Sequence, residues 1–120
     1  MDDSCNAGKY DELIDEHQSV NFILAHGRPL DETITLLKRH PNAYADSAFM
    51  SVEDMINILH EKLSGKLLWG TDMMIPKRYH PEIDMVEYYK KKLDDFAKIC
   101  NNDDFQKVTW RNAKQLFDII

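Results

Sequence analysis

A chain of 120 residues, 43% hydrophobic and 30% charged, has room for one core and the composition of a folded globular domain. Its formal net charge of −6 excludes a nucleic-acid surface, which needs clustered Lys and Arg. No apolar run approaches the roughly eighteen residues of a membrane span, so a membrane partner is excluded as well.

The chain reads as one structural unit over 1–120, with 1–8 extended or disordered. "KYDELIDEHQ" (9–18) spaces Tyr10, Leu13, Ile14 and His17 at helical intervals. "VNFILA" (20–25) is a short continuous apolar run, as in a strand covered on both faces. In the helix that follows, Pro29 suits the first turn, and Asp31 and Glu32 complement the dipole there. Its stripe is Leu30, Ile34 and Leu37. Lys38, Arg39 and His40 suit its far end, and Pro41 stops it.

The pattern then repeats. "NAYADS" (42–47) predicts a second strand, and Ser51 is a candidate N-cap for a helix carrying Met55, Ile56, Leu59 and Leu63, with Gly65 at its exit. The third strand is predicted over 66–71, opening with "KLLWG" (66–70). A loop with Pro76 and Pro81 leads to the longest helix, started by Asp84 and Glu87 and striped by Val86, Tyr89, Leu93, Phe96 and Cys100. Lys90-Lys91-Lys92 reads as its solvated face. Two short helical pieces close the chain, one with Phe105 and Val108, the other with Ala113, Leu116 and Phe117. Strand, helix, strand, helix, strand is a repeated βα unit, which implies an α/β fold with a parallel sheet. Cys5 and Cys100 stand far apart with no metal-type spacing, and the first twenty residues hold no secretion-signal core, so a cytoplasmic protein with free thiols is expected.

In parallel α/β architectures, chemistry gathers at the carboxyl ends of the strands. Here His26 follows the first strand, Asp46 ends the second and Asp72 follows the third, one site-forming residue at each end. A buried carboxylate at Asp72 is costly unless it has a partner or caps the next segment. Tyr44, Phe49, Met50, Trp69, Met73 and Met74 lie near the same ends. Arg28 and Lys77 sit in strand-end loops where they can meet an anionic substrate, and His80, beside Pro81, can overhang a pocket. His17, His40 and His60 fall in helical patterns and read as surface residues.

Together, "VNFILAHGRPLDETITLLKRHPNAYADSAF", "KLLWGTDMMIP" and the closing "NAKQLF" carry a resemblance. From about Gly8 onward the chain resembles the C-terminal part of the amidohydrolase-related family of metal-dependent hydrolases, which are (β/α)8 TIM barrels. The resemblance implies a partial barrel of about three βα units with extra C-terminal helices. It also implies metal-activated water attacking a C–N or C–O bond, or a related decarboxylation. His26 matches the histidine ending the sixth barrel strand, which lies beside the metal and polarises substrate or orients water. Asp72 matches the aspartate ending the eighth, a metal ligand and proton acceptor. Arg28, Asp46, Trp69 and His80 are the candidate substrate-binding residues. The implied cofactor is a divalent metal, zinc foremost.

Two departures bear on activity. The family has a His-x-His pair on its first strand and a histidine on its fifth. This sequence contains no His-x-His, and by the correspondence it begins after the fifth strand. Catalytic zinc usually has three protein ligands, so the isolated chain is expected to be inactive and to hold metal weakly or not at all. Barrel closure takes about eight strands, and three would leave two open edges that invite another chain. The expected partner is a second copy, a dimer foremost, or a complementary barrel half. Two alternatives stay open: a non-catalytic, self-associating α/β fragment, and a small anion-binding module at the helix N-terminus after Gly27-Arg28.

Overall fold

The computed structural model describes residues 6–72 and 75–118, the side chains of residues 75 and 76 excepted. Three strands, β1 (Phe22–Leu24), β2 (Ala43–Asp46) and β3 (Leu67–Leu68), form a parallel sheet in the order β1-β2-β3. Phe22 lies opposite Ala43 and Leu24 opposite Ala45, and Ala45 in turn lies opposite Leu67. Each strand is shorter than its apolar run. Val20 is drawn into a turn by its N–H bond to the His17 carbonyl, and Trp69 turns its N–H to the Val108 carbonyl at 3.0 Å, which ends β3.

Helices α1 (Asp11–Glu16), α2 (Leu30–Arg39) and α3 (Val52–His60) precede or link the strands. Ala43 and Ala45 have no accessible surface, and their small side chains let the helices approach the sheet closely. Against them pack Ile14, Leu36, Leu37, Met55, Ile58 and, from α5 (Met85–Ile99), Phe96. The predicted caps are in place. Ser51 Oγ accepts from Asp54 N at 3.1 Å, and Asp84 Oδ1 accepts from Val86 N and Glu87 N at 3.0 and 3.1 Å. The result is an α/β unit of the kind that makes up part of a (β/α)8 barrel.

Several expectations are corrected. Residues 1–5, Met73 and Met74 lie outside the described residues; of the segment predicted to be extended or disordered over 1–8, the described part enters a 3-10 helix at Ala7. The loop predicted around Pro76 contains a short helix, α4 (Ile75–Tyr79). His40 is not a surface residue: it is 1% exposed, with Nε2 2.6 Å from Asp11 Oδ1. Lys92 is likewise buried rather than solvated, while Val86 of the predicted stripe is 75% exposed. Helix periodicity assigned both to the wrong side because α5 meets the sheet's end with its Tyr89–Lys92–Phe96 face.

The C-terminus also changes the account of the edges. Helix α6 (Asn102–Gln106), a π-helical turn (Lys107–Arg111) and α7 (Asn112–Leu116) run on from one another. They cover the outer edge of β3: Val108 O takes the Trp69 N–H, and Asn112 Nδ2 donates to Leu67 O at 2.9 Å and Ser64 O at 2.6 Å. One of the two predicted open edges is therefore closed by the chain itself. Beyond β1 no strand lies among the described residues. That edge borders a groove of ≈ 440 Å³ lined by Ala7, Leu13 and the run from Phe22 to His26, among others.

Candidate functional site

Two backbone turns set the site. His26 (φ 67) and Gly27 (φ 47) follow β1 in the left-handed region, which a non-glycine residue occupies only when its surroundings hold it there. Asp46, at the end of β2, supplies that hold. Its Oδ1 accepts the His26 N–H and the Ala48 N–H, both at 3.1 Å. A Cβ on Gly27 would displace only the flexible end of Met50, so it is the positive φ that calls for glycine there.

The same turn aims the imidazole across the strand ends. His26 Nε2 stands 3.5 Å from Asp72 Oδ2, and Nδ1 stands 4.0 Å from Asp46 Oδ1. Nδ1 is buried and makes no hydrogen bond. Phe49, itself at φ 65, meets the ring edge-on at 4.8 Å between centroids. On Phe49 also lies the Arg28 guanidinium, 5.3 Å from the ring centre, with a buried Nε that has no hydrogen-bond partner among the described residues. Asp72 (φ 45) ends the array with its side chain 43% exposed.

Sequence position thus brings His26, Asp46 and Asp72 together, with Arg28 joined to them through Phe49. Asp46 works on backbone amides, which limits it as a substrate-binding group. Trp69 sits edge-on to Tyr89 at 6.4 Å, under the Lys92 ammonium and against the core. His80 is exposed, and its Nδ1 lies 3.7 Å from Glu82. Lys77 is exposed on α4.

Two residues escaped functional notice in the sequence. Tyr89 donates its hydroxyl to the carbonyl of Thr71, the residue before Asp72. Lys92 donates to the carbonyl of Ser47, the residue after Asp46, at 3.0 Å. Burial pushes the Tyr89 hydroxyl up, with Tyr88 and Asp72 adding to the shift. Burial pulls the Lys92 ammonium down, against the attraction of Asp46. The available signal was their three-residue spacing on the helix that follows the Asp72 loop.

A metal centre would draw on Asp72 and His26. Among the described residues, no group of three or more His, Cys, Asp and Glu side chains is placed to hold an ion. The residues present therefore fit part of a metal site and not a closed one, since Asp46 is committed to amides and one carboxylate with one imidazole leaves the usual set of three incomplete. What the pair offers by itself is proton handling: a half-exposed carboxylate beside an imidazole whose second nitrogen is orphaned. The N-terminus of α2 is a poor anion site by charge, because Asp31 and Glu32 occupy its first turn.

A family model described as amidohydrolase matches residues 6–119 of the chain. No curated protein and no solved structure matches it.

Proposed function

Because this chain belongs to the amidohydrolase family, we propose that it carries the His26–Asp72 portion of a metal-dependent hydrolase site whose other ligands come from outside this sequence. The observation that supports this reading is the 3.5 Å approach of His26 Nε2 to Asp72 Oδ2 at the carboxyl ends of parallel strands. Asp72 is the metal-ligand and general-base candidate, and His26 orients substrate or water beside it. A divalent metal, zinc foremost, would supply the acidity that activates the water. Arg28, half-buried on Phe49, is the candidate for a substrate's negative group. By itself the chain is inactive.

The open edge supports a specific route to completion. His26 stands at the end of β1, and among the described residues β1 is the strand with no neighbour on its outer side. A strand pairing parallel to β1 would bring its own carboxyl-end residue next to His26. A complementary barrel half paired in that way supplies the missing ligands. Among the described residues no helix is long and apolar enough to cross a membrane.

One observation favours a second reading, a non-catalytic dimer. The sealed edge of β3 stands in the way of a barrel that would have to pair both edges. Two copies related by a two-fold axis would pair β1 with β1 antiparallel, about Ile23. That arrangement places no carboxyl-end ligand beside His26. Zinc titration calorimetry separates the two. The first reading expects zinc uptake only after addition of a barrel half bearing His-x-His, and its loss in Asp72→Asn. Uptake that survives Asp72→Asn contradicts it.

A further inference from the structure

Of the two carboxylates that flank His26, Asp46 ends β2 and Asp72 lies beyond β3, and the backbone next to each is tied to the same helix. Tyr89 and Lys92 are three residues apart on α5, so their side chains project from one face, about one turn from each other. One donates to Thr71 O and the other to Ser47 O. Each carbonyl is adjacent in sequence to a carboxylate residue, Asp72 and Asp46 respectively. Trp69 fills the space between the two ties: its ring is edge-on to Tyr89 at 6.4 Å and lies 5.3 Å under the Lys92 ammonium.

We infer that Tyr89 and Lys92 are a pair of positioning residues that fix the separation of Asp72 and Asp46, and so hold His26 between them. A buried lysine makes little sense as packing alone, because an ammonium taken from water costs several kcal/mol unless it is well partnered. Lys92 has the Ser47 carbonyl, the Trp69 face and the charge of Asp46 as its partners. Asp72 holds φ 45, a left-handed conformation that aspartate tolerates better than most residues and that a neighbouring tie helps to keep. The Tyr89 hydroxyl supplies that tie one peptide away. In this arrangement neither residue touches the reacting atoms; both act through the loops.

The inference rests on the reading of His26 and Asp72 as the working pair, but its test needs neither metal nor turnover. Tyr89→Phe and Lys92→Met each remove one polar tie and keep most of the side-chain volume. In metal-free, isotope-labelled full chain, NMR reads the nuclear Overhauser contact between the His26 ring and the Asp72 Hβ protons, the Asp72 amide order parameter, and hydrogen exchange at the His26 amide. Tyr89→Phe is expected to erase the His26–Asp72 contact and to lower the Asp72 order parameter from about 0.85 to below about 0.6. The His26 amide stays protected by Asp46 in that variant. Lys92→Met is expected to do the reverse, with His26 amide exchange at least ~10-fold faster and the Asp72 order parameter near its native value, a difference corresponding to ~1.4 kcal/mol of opening free energy. Tyr88→Phe, which alters the neighbouring hydroxyl, leaves both readings native.

If Tyr89→Phe keeps the His26–Asp72 contact, or if both variants loosen the sheet and α5 evenly or fail to fold, the two residues are ordinary packing and the inference is wrong. Should one variant alone fail to fold, the other decides. Failure of the complemented chain to take zinc overturns the metal reading and leaves the NMR outcome standing. Native loop order in both variants overturns only the tie.

Discussion

At Asp72 a carboxylate leaves a sheet with a positive φ and a histidine nitrogen 3.5 Å away. Its order along the chain was legible, because one polar residue per strand end is visible in "LAHG", "YADS" and "WGTD". What could not be read was how each is used. Asp46 and Asp72 look alike in sequence, yet one spends Oδ1 on two amides and the other faces the imidazole. Lys92 was hidden in a basic run, where two lysines face water and the third reaches into the strand ends. Burial of Lys92 and Tyr89 has consequences at alkaline pH. The fold holds the Lys92 proton less tightly than the unfolded chain does, so Lys92 adds stability as pH rises from its folded pKa to the ordinary lysine value. Tyr89 acts oppositely, because its folded pKa is raised and its contribution is lost as pH climbs past the ordinary tyrosine value. Urea unfolding between about pH 8 and 11 should therefore show a steeper alkaline loss in Lys92→Met and a flatter one in Tyr89→Phe.

Among the elements, the strands and the longer helices follow from patterning and caps, as Ser51 and Asp84 show. The C-terminal segment does not. Its sequence pattern announces helices, but nothing in the spacing of Asn112 says that its amide will serve the carbonyls of Leu67 and Ser64. Such a role depends on which edge lies nearby, and that is a property of the assembled fold. Asn42 has the same character: its Nδ2 donates to the carbonyls of Ile14, His17 and Val20 and so shapes the entry to β1. Asn112→Ala strips the β3 edge of a side-chain partner and leaves a buried carbonyl unmet. The expected cost is roughly 1–3 kcal/mol in urea unfolding, with faster hydrogen exchange at the Trp69 amide as the π-helical turn loosens. An unchanged midpoint and unchanged exchange would mean that the edge is sealed by packing alone.

For the whole molecule, the distribution of edges is decisive. Among the described residues the three-stranded parallel sheet has one sealed edge and one open one, so a strand can be added at the β1 edge, which exposes Ile23 and Leu13 beside the groove. A charge there should be incompatible with pairing, so Ile23→Lys is predicted to shift the chain to monomer in analytical ultracentrifugation while leaving its circular dichroism native. We propose that His26 and Asp72 are an incomplete part of a metal site that this chain cannot close alone. Native mass spectrometry of the purified chain, with and without added zinc, tests it most directly because assembly and metal content are read in the same spectrum. The expected result is an associated chain, a dimer foremost, that takes up no stoichiometric zinc. A monomer carrying one zinc, lost in Asp72→Asn, would contradict it.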